Sequence, residues 1–149
     1  MDNQIAVRRK VLYGFSSNKE KGNAGLSAAV AYFGMNGYTV SIPLNDTQDY
    51  DLIVDDGNTL SRVQVKATDS KRYGGYCCQL RSCGGTNGTV YKTVKDTNID
   101  YLFVLCGDKT MYLIPFVDIK QNSILNLHKE KSKYAHTDTV DYSKYIVNF

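Results

Sequence analysis

Three polar side chains that suit a metal-dependent hydrolysis lie close together in this sequence: Asp51, Gln64 and Lys66. The carboxylate of Asp51, the amide oxygen of Gln64 and the backbone carbonyl of Val65 are hard oxygen ligands of the kind that Mg²⁺ prefers. A lysine one pleat further along can hold a phosphate or orient a metal-bound water as the nucleophile. This combination predicts a metal site formed by Asp51, Gln64 and Val65, with Lys66 beside it.

A β-hairpin is the element that must position these groups. The stretches YDLIV and LSRVQVK predict strands at Tyr50–Val54 and Leu60–Lys66, joined by the turn-prone sequence DDGN. A turn centred on Asp-Gly sets Asp51 opposite Arg62, and one centred on Gly-Asn sets Asp51 opposite Gln64. Both registers keep the three polar side chains on one face, because a two-residue shift in pairing preserves facing. The alternating valines of the second strand then face a core.

The order Asp, about a dozen residues, then Gln-x-Lys resembles the active-site motif of the PD-(D/E)XK nucleases, with Gln64 where most members carry Asp or Glu. The stretch from Asn18 to Thr68 is similar to the Gln-bearing branch of that superfamily, which includes small group I intron-encoded homing endonucleases. The resemblance implies a DNA endonuclease that uses Mg²⁺, with Mn²⁺ as a substitute. It also implies catalytic roles for Asp51, Gln64 and Lys66, and double-stranded DNA as the partner.

The segment Ser17–Asn36 is predicted to be a helix. Ser17-x-x-Glu20 fits a capping box, Asn36-Gly37 is a typical C-terminal stop, and apolar residues recur at helical spacing between them. Many PD-(D/E)XK nucleases place a catalytic Glu on this helix soon after a Lys-Gly pair. Here Lys21-Gly22 is followed by no acid, so Glu20, the nearest carboxylate, is the candidate for that catalytic role, and its alternative role is the capping box.

The segment from Lys66 to Tyr91 has the composition of a nucleic-acid contact surface, with basic, tyrosine and glycine residues intermixed. Its candidate DNA-binding residues are Lys71, Arg72 and Arg81, because cations on loops beside a metal centre suit phosphate and groove contacts. A strand at Tyr76–Ser82 is expected to pair beside the strand that carries Gln64. The alternative is a pair of ordinary glycine-rich loops with solvated charges.

The later part of the chain predicts further strands. The run IDYLFVLC is apolar enough for a buried strand that ends at Cys106, Met111–Pro115 follows after a turn, and YIVNF is a possible last strand. With the helix, these elements predict an α/β fold: a restriction-endonuclease-like core with a mixed central sheet of about five strands and the helix on one face. The 149 residues fit a single nuclease domain, 1–149.

Composition sets the remaining bounds. The net charge is +3, from 18 Lys and Arg against 15 Asp and Glu, which is compatible with nucleic acid but far from histone-like. No segment has the apolar length of a signal peptide or a membrane span, so a cytoplasmic protein is expected. The spacing of Cys77, Cys78 and Cys83 is not that of a zinc knuckle, and Cys106 is expected to be a small buried side chain.

The sequence therefore favours a metal-dependent DNA endonuclease of the homing type. A Holliday junction resolvase-like nuclease and a restriction-type enzyme are alternatives with the same core. A catalytically inactive DNA-binding module is an alternative of another class, favoured by the missing helix acid. A double-strand break requires two metal centres, so a homo-oligomer with an even number of subunits is expected, assembled through the tyrosine-rich tail.

Overall fold

The computed structural model of the protein describes residues 17–84, 90–92, 94–129 and 140–149. Its long helix, α1, covers Asn18–Met35, which confirms the predicted helix. Ser17 Oγ accepts a hydrogen bond from the Glu20 amide at 3.2 Å, and Gly37 follows the helix with a φ of +83°. Both ends are therefore stopped by the residues that local sequence chemistry favours for caps.

Eleven short strands are formed by the described residues. In chain order they are β1 (Thr39–Ser41), β2 (Leu52–Asp55), β3 (Leu60–Thr68), β4 (Lys71–Arg72), β5 (Gly75–Gln79), β6 (Ser82–Gly84), β7 (Val90–Lys92), β8 (Tyr101–Cys106), β9 (Met111–Pro115), β10 (Ile124–Leu127) and β11 (Ile146–Val147). Three 3₁₀ turns, Val94–Asp96, Phe116–Asp118 and Ser143–Tyr145, connect them. The predicted mixed α/β fold is confirmed, with β2, β3, β8 and β9 each near its predicted place.

The central sheet has six strands in the order β1-β2-β3-β8-β9-β11, against about five predicted, and β11 lies within YIVNF, the possible last strand. Its pairs are antiparallel except β3 with β8, which run parallel from Val63 beside Tyr101 to Thr68 beside Cys106. Side chains of β3 and β8 therefore leave the sheet in matched rows on its two faces. This register decides which residues of β3 face the helix and which face the opposite layer.

Helix α1 covers one face of the sheet and a smaller sheet lies against the other. On the helix side, Ala29 and Phe33 pack against Val63 and Phe103, with Val65 partly buried beside them. On the opposite side, the fully buried core is formed by residues of β5, β8, β9 and β10: Cys78, Leu102, Val104, Cys106, Tyr112, Ile114, Leu125 and Leu127. The alternation of β3 was read correctly from the sequence, since its valines do face a core.

The smaller sheet corrects one prediction. Strand β5 was expected to pair beside the strand that carries Gln64, but it pairs with β4 and β10 in a separate three-stranded sheet. β8 already occupies one side of β3, and β5 is held at the end of β3 by a side chain instead, with Thr68 Oγ1 donating to the Cys77 carbonyl at 2.6 Å. The small sheet thus packs on the central sheet without extending it.

The carboxyl-terminal strand β11 pairs with β9 and forms one edge of the central sheet. Tyr142 packs into the core before it, and its hydroxyl donates to Gln121 Oε1 at 2.5 Å. Part of the tail after residue 139 is therefore packed on the core, through Tyr142 and the partly buried Val140, Tyr145 and Ile146. No helix within the described ranges is long and apolar enough to cross a membrane.

Candidate active site

The hairpin of β2 and β3 resolves the two registers left open by the sequence. Leu52 pairs with Val63 and Asp55 with Leu60, so the loop is centred on Gly57-Asn58. Two carboxylates hold this loop: Asp55 accepts from the Gly57 amide, and Asp56 accepts from two amides further along. The ladder ends at the Leu52–Val63 pair, and the Asp51 amide bonds to the Val63 carbonyl instead of continuing the ladder to Gln64, so Asp51 lies beside β3 just past the last pair.

Asp51 lies immediately before β2 and is bound to β3 by two hydrogen bonds. Its amide donates to the Val63 carbonyl at 2.9 Å, and its Oδ2 accepts from the Val65 amide at 2.7 Å. The N–H and C=O of one strand residue point to the same side, so the Val65 carbonyl is directed toward the side of β3 on which Asp51 lies. Two of the three predicted metal ligands, Asp51 and the Val65 carbonyl, therefore share one side of the strand.

The pKa of the Asp51 carboxyl is shifted by burial and, in the opposite direction, by a nearby cation. Asp51 as a residue is exposed to solvent, but its carboxyl lies against β3 and the partial burial there raises its pKa. The hydrogen bond from the Val65 amide and the positive charge of Lys66 act in the opposite direction and lower that pKa in part. The charged form is thus poorly solvated and incompletely neutralised, which favours binding of a further positive charge.

The amide oxygen of Gln64 is the strongest sign of a ligand site. Gln64 Oε1, like Gln48 Oε1 and Asn126 Oδ1, is buried and accepts no hydrogen bond from the residues that the structure describes, and of the three it is the one on the strand that carries Lys66. Leaving a buried acceptor without a partner costs about 1–3 kcal/mol, and a cation would supply the missing contact. The donor set of one carboxylate, one amide oxygen and one backbone carbonyl fits Mg²⁺, a hard ion that also retains water ligands.

Lys66 lines a cleft of about 390 Å³ between β3, β5 and the start of α1. Two further cations, Lys21 and Arg81, line the same cleft. Lys21 is paired with Asp69 at 2.5 Å, and Arg81 donates to Ser123 Oγ at 2.9 Å. The cleft therefore concentrates positive charge where the predicted catalytic lysine lies, as an anionic substrate requires.

Gly25 allows α1 to lie directly on β3, a role that sequence reasoning did not assign. A methyl group at this position would lie 3.1 Å from Ala67 Cβ and 3.3 Å from Val65 Cγ1, both tighter than ordinary contact. The Lys21–Asp69 pair was also missed, although the Lys-Gly sequence at the helix start was the available signal. Both features fix the helix relative to β3 and hence the shape of the cleft.

Glu20 is not brought to this cleft. It lies exposed in the first turn of α1, while its neighbours Lys21 and Gly22 line the cleft. Its amide is bonded to the Ser17 hydroxyl, as in the first half of a capping box. A catalytic role for Glu20 stays a prediction.

The predicted DNA-binding residues lie around the cleft. Arg81 lines it, whereas Lys71 and Arg72 form β4, which begins just beyond the end of β3. All three are exposed.

Two cysteines of the core, Cys78 and Cys106, are buried. Burial raises the pKa of the Cys78 thiol to about 12, which keeps it protonated and unreactive. Cys106 is buried as predicted, and burial raises its pKa to about 12 as well.

Comparison with known proteins shows the family of this chain. The sequence profile of the PD-(D/E)XK endonuclease family matches residues 16–145. The structure resembles that of the bacterial homing endonuclease I-Ssp6803I with a TM-score of 0.68 and 26% identity, over 88% of this chain and 89% of the other. MepB is similar only at a TM-score of 0.40 and 12% identity, over 82% and 95% of the two chains. No curated protein sequence matches. The match over most of its length shows that the chain belongs to the PD-(D/E)XK endonuclease family.

Proposed function

We propose that this chain is a single-domain, magnesium-dependent endonuclease that cleaves double-stranded DNA at specific sites, as homing endonucleases do. The observation that carries the proposal is the buried, unpartnered amide oxygen of Gln64 on the strand that also carries Lys66 and binds Asp51. The likeness to I-Ssp6803I, described as a bacterial homing endonuclease, supports the homing type. Family membership supports the nuclease activity itself.

The proposed metal ligands are the Asp51 carboxylate, the Gln64 amide oxygen and the Val65 carbonyl. A bound Mg²⁺ would polarise the phosphodiester and lower the pKa of a coordinated water. Gln64 contributes no charge, so this site is less negative than one with two carboxylates. Asp51 is therefore the ligand on which cation affinity should depend most.

Lys66 is proposed to act on the scissile phosphate. Its ammonium group lies at the cleft, where it can donate hydrogen bonds to phosphate oxygens or orient the attacking water. Negative charge on those oxygens changes as the attacking bond forms, so a fixed cation stabilises the transition state more than the bound substrate. Lys21 is held by Asp69, which leaves Lys66 as the proposed catalytic cation.

A plasmid nicking assay tests the activity. Supercoiled plasmid containing inserted random duplexes should be cut in the presence of Mg²⁺ or Mn²⁺ and left intact in EDTA. Sequencing the cut ends would separate a site-specific enzyme from a junction-selective one, which requires branched substrates. Absence of cleavage on both linear and branched DNA, with binding retained, would identify an inactive DNA-binding module and refute the proposal.

Lys71 and Arg81 are proposed to contact phosphates beside the cleft. Replacing either by alanine should weaken DNA binding and reduce the slope of log K against log salt by about one, because each phosphate contact releases roughly one counterion. Fluorescence anisotropy across a salt series measures the slope. Lys120 is a matched control outside the cleft, where its ammonium donates to the Val117 carbonyl at 3.3 Å. Lys120→Ala should keep the slope of the parent. Slopes for Lys71→Ala and Arg81→Ala equal to that of the parent would exclude this contact surface.

We further propose that the protein is a homodimer or a larger assembly with an even number of subunits. β11 is only two residues long and lies at the edge of the central sheet, and Phe149 beyond it is 65% exposed. An exposed apolar edge favours pairing with a second copy. Multi-angle light scattering at micromolar concentration is expected to give an even multiple of the chain mass, reduced by Phe149→Asp. A monomer mass with and without DNA would contradict this assembly.

A further inference from the structure

Strands β4 and β5 form a hairpin, here called the ribbon, at the edge of the three-stranded small sheet, with a tight turn at its tip. β10 pairs with β5 only as far as Tyr76, so the two-stranded end of the ribbon is the Arg72–Gly75 pair and its turn. The turn consists of Tyr73 and Gly74, whose φ angles are +51° and +79°, and it joins Arg72 to Gly75. Two successive residues with positive φ are typical of a type I′ turn, the turn that best matches the twist of paired strands. Tyr73 is a non-glycine residue in this strained region, and it is 68% exposed. A strained backbone at an exposed residue is typical of functional sites, which makes Tyr73 a candidate functional residue.

The tip presents cations that are already oriented by aromatic rings. The Arg72 guanidinium lies 4.9 Å from the centroid of the Tyr73 ring, and its Nη2 lies 3.3 Å from the Tyr73 hydroxyl. The Lys71 ammonium lies 5.4 Å from the centroid of the Tyr76 ring. A guanidinium stacked on a ring loses less conformational freedom when it forms two parallel hydrogen bonds.

The base of the ribbon is tied to the active-site cleft. Thr68, the last residue of β3, donates its hydroxyl proton to the Cys77 carbonyl at 2.6 Å, and the Cys77 amide donates to the Ser70 carbonyl at 2.9 Å. All three residues line the cleft. On its far side, β5 is paired with β10 from Tyr76 to Gln79. The ribbon is therefore fixed relative to Lys66, while β4 is the edge that remains open.

The length of this connection limits how far the tip can reach. Arg72 lies six steps along the chain after Lys66, and steps of no more than about 3.5 Å each span at most ~21 Å. An arginine side chain adds several ångströms. With base pairs spaced about 3.4 Å apart, the guanidinium must act within about eight base pairs of the cleaved phosphate.

Resting on the proposed function, we propose that this ribbon enters the DNA major groove next to the cut and that Arg72 reads a guanine there. The major groove is about 12 Å wide and admits a two-stranded ribbon, and arginine bound to O6 and N7 of guanine is the commonest specific contact. Tyr73 is a positioning residue, since it acts by stacking on Arg72. Lys71, on the neighbouring position, contacts a phosphate without reading sequence.

Cleavage of a library of duplexes, randomised over eight base pairs on each side of the cut, tests this assignment. The parent protein should prefer a G·C pair at one position by about 10- to 100-fold, which corresponds to one bidentate contact. Arg72→Ala should lose the preference at that position alone and still cut its remaining best sites. Lys71→Ala should lower cleavage of all sequences to a similar extent. Tyr73→Ala should reduce the preference in part, and Tyr73→Phe, which keeps the ring, should restore it.

The outcomes separate this inference from the proposed function. If the parent cleaves selectively and Arg72→Ala keeps every preference, Arg72 does not read the sequence and only this inference fails. If the parent cleaves all sequences alike, the inference fails while the nuclease remains. If the parent does not cleave DNA in Mg²⁺, both fail. Replacing the preferred guanine by 7-deazaguanine removes N7 only, and it should reproduce the loss seen for Arg72→Ala.

Discussion

Replacement of Lys66 by alanine is expected to lower DNA cleavage by at least about 10³-fold while leaving DNA affinity within a few-fold of the parent. Removing a group that acts mainly in the transition state lowers the rate of the chemical step and affects ground-state binding little. Single-turnover cleavage of plasmid measures the first quantity, and fluorescence anisotropy in EDTA measures the second. Folding is checked by the thermal unfolding midpoint.

Two further variants sharpen this experiment. Lys66→Met keeps the apolar stem beside Thr68 and Cys78 and removes only the charge, so it should be as inactive as Lys66→Ala and at least as stable. Lys120→Ala, outside the cleft, should cleave at the parent rate. A Lys66→Ala protein that cuts at near the parent rate would show that the catalytic cation is elsewhere.

Asp51→Asn is expected to abolish cleavage and metal binding and to stabilise the metal-free protein. Burial raises the pKa of Asp51 in the folded state above the ordinary value, so the folded state binds this proton more tightly than the unfolded state. Without metal, the stability that Asp51 contributes is present below the unfolded pKa of about 3.9 and declines as the pH rises through the folded pKa. Asparagine carries no charge and retains an oxygen that can accept from Val65. An increase in the unfolding midpoint of about 1–3 °C at pH 7 is therefore expected.

Two controls distinguish this effect from ordinary stabilisation. At pH 3 both proteins carry a neutral side chain at position 51, so their midpoints should coincide. Addition of Mg²⁺ should raise the midpoint of the parent and leave that of Asp51→Asn unchanged, because only the parent binds the ion. Titration calorimetry with Mn²⁺ measures the affinity directly. Equal affinities for the parent and the variant would place the ion at other residues.

The parts of the fold that sequence reasoning predicted are those fixed by neighbouring residues. Ser17 and Gly37 bound α1 because capping is a local interaction. The hairpin that gathers Asp51 and Gln64 closes over a short loop, so its pairing depends on few residues. Its register could not be chosen from the sequence. The loop is fixed by hydrogen bonds from its amides to the carboxylates of Asp55 and Asp56, and these bonds depend on the folded geometry of the loop.

The parts that could not be predicted depend on residues far apart in the chain. The pairing of β5 with β10 joins Cys78 to Leu125, and nothing local at either residue selects that partner over β3. The absence of Glu20 from the cleft depends on how α1 lies on the sheet, which Gly25 determines through contacts with Val65 and Ala67. The lack of a partner for the Gln64 amide oxygen emerges only once its whole surroundings are assembled.

The parallel pairing of β3 with β8 has a consequence for engineering. Two parallel neighbours need a long crossover, and here the crossover is the segment 69–100, which contains the β4–β5 ribbon and, in its described residues 69–84, 90–92 and 94–100, adds no strand to the central sheet. Loop closure becomes more costly only slowly with length, so ribbon tips of other lengths and sequences can be grafted between Lys71 and Gly75. Such chimaeras should keep Asp51 and Lys66 in register while their target sequences diverge. Under the proposed function and the proposed reading by Arg72, target choice and bond cleavage would lie in separate segments of this chain.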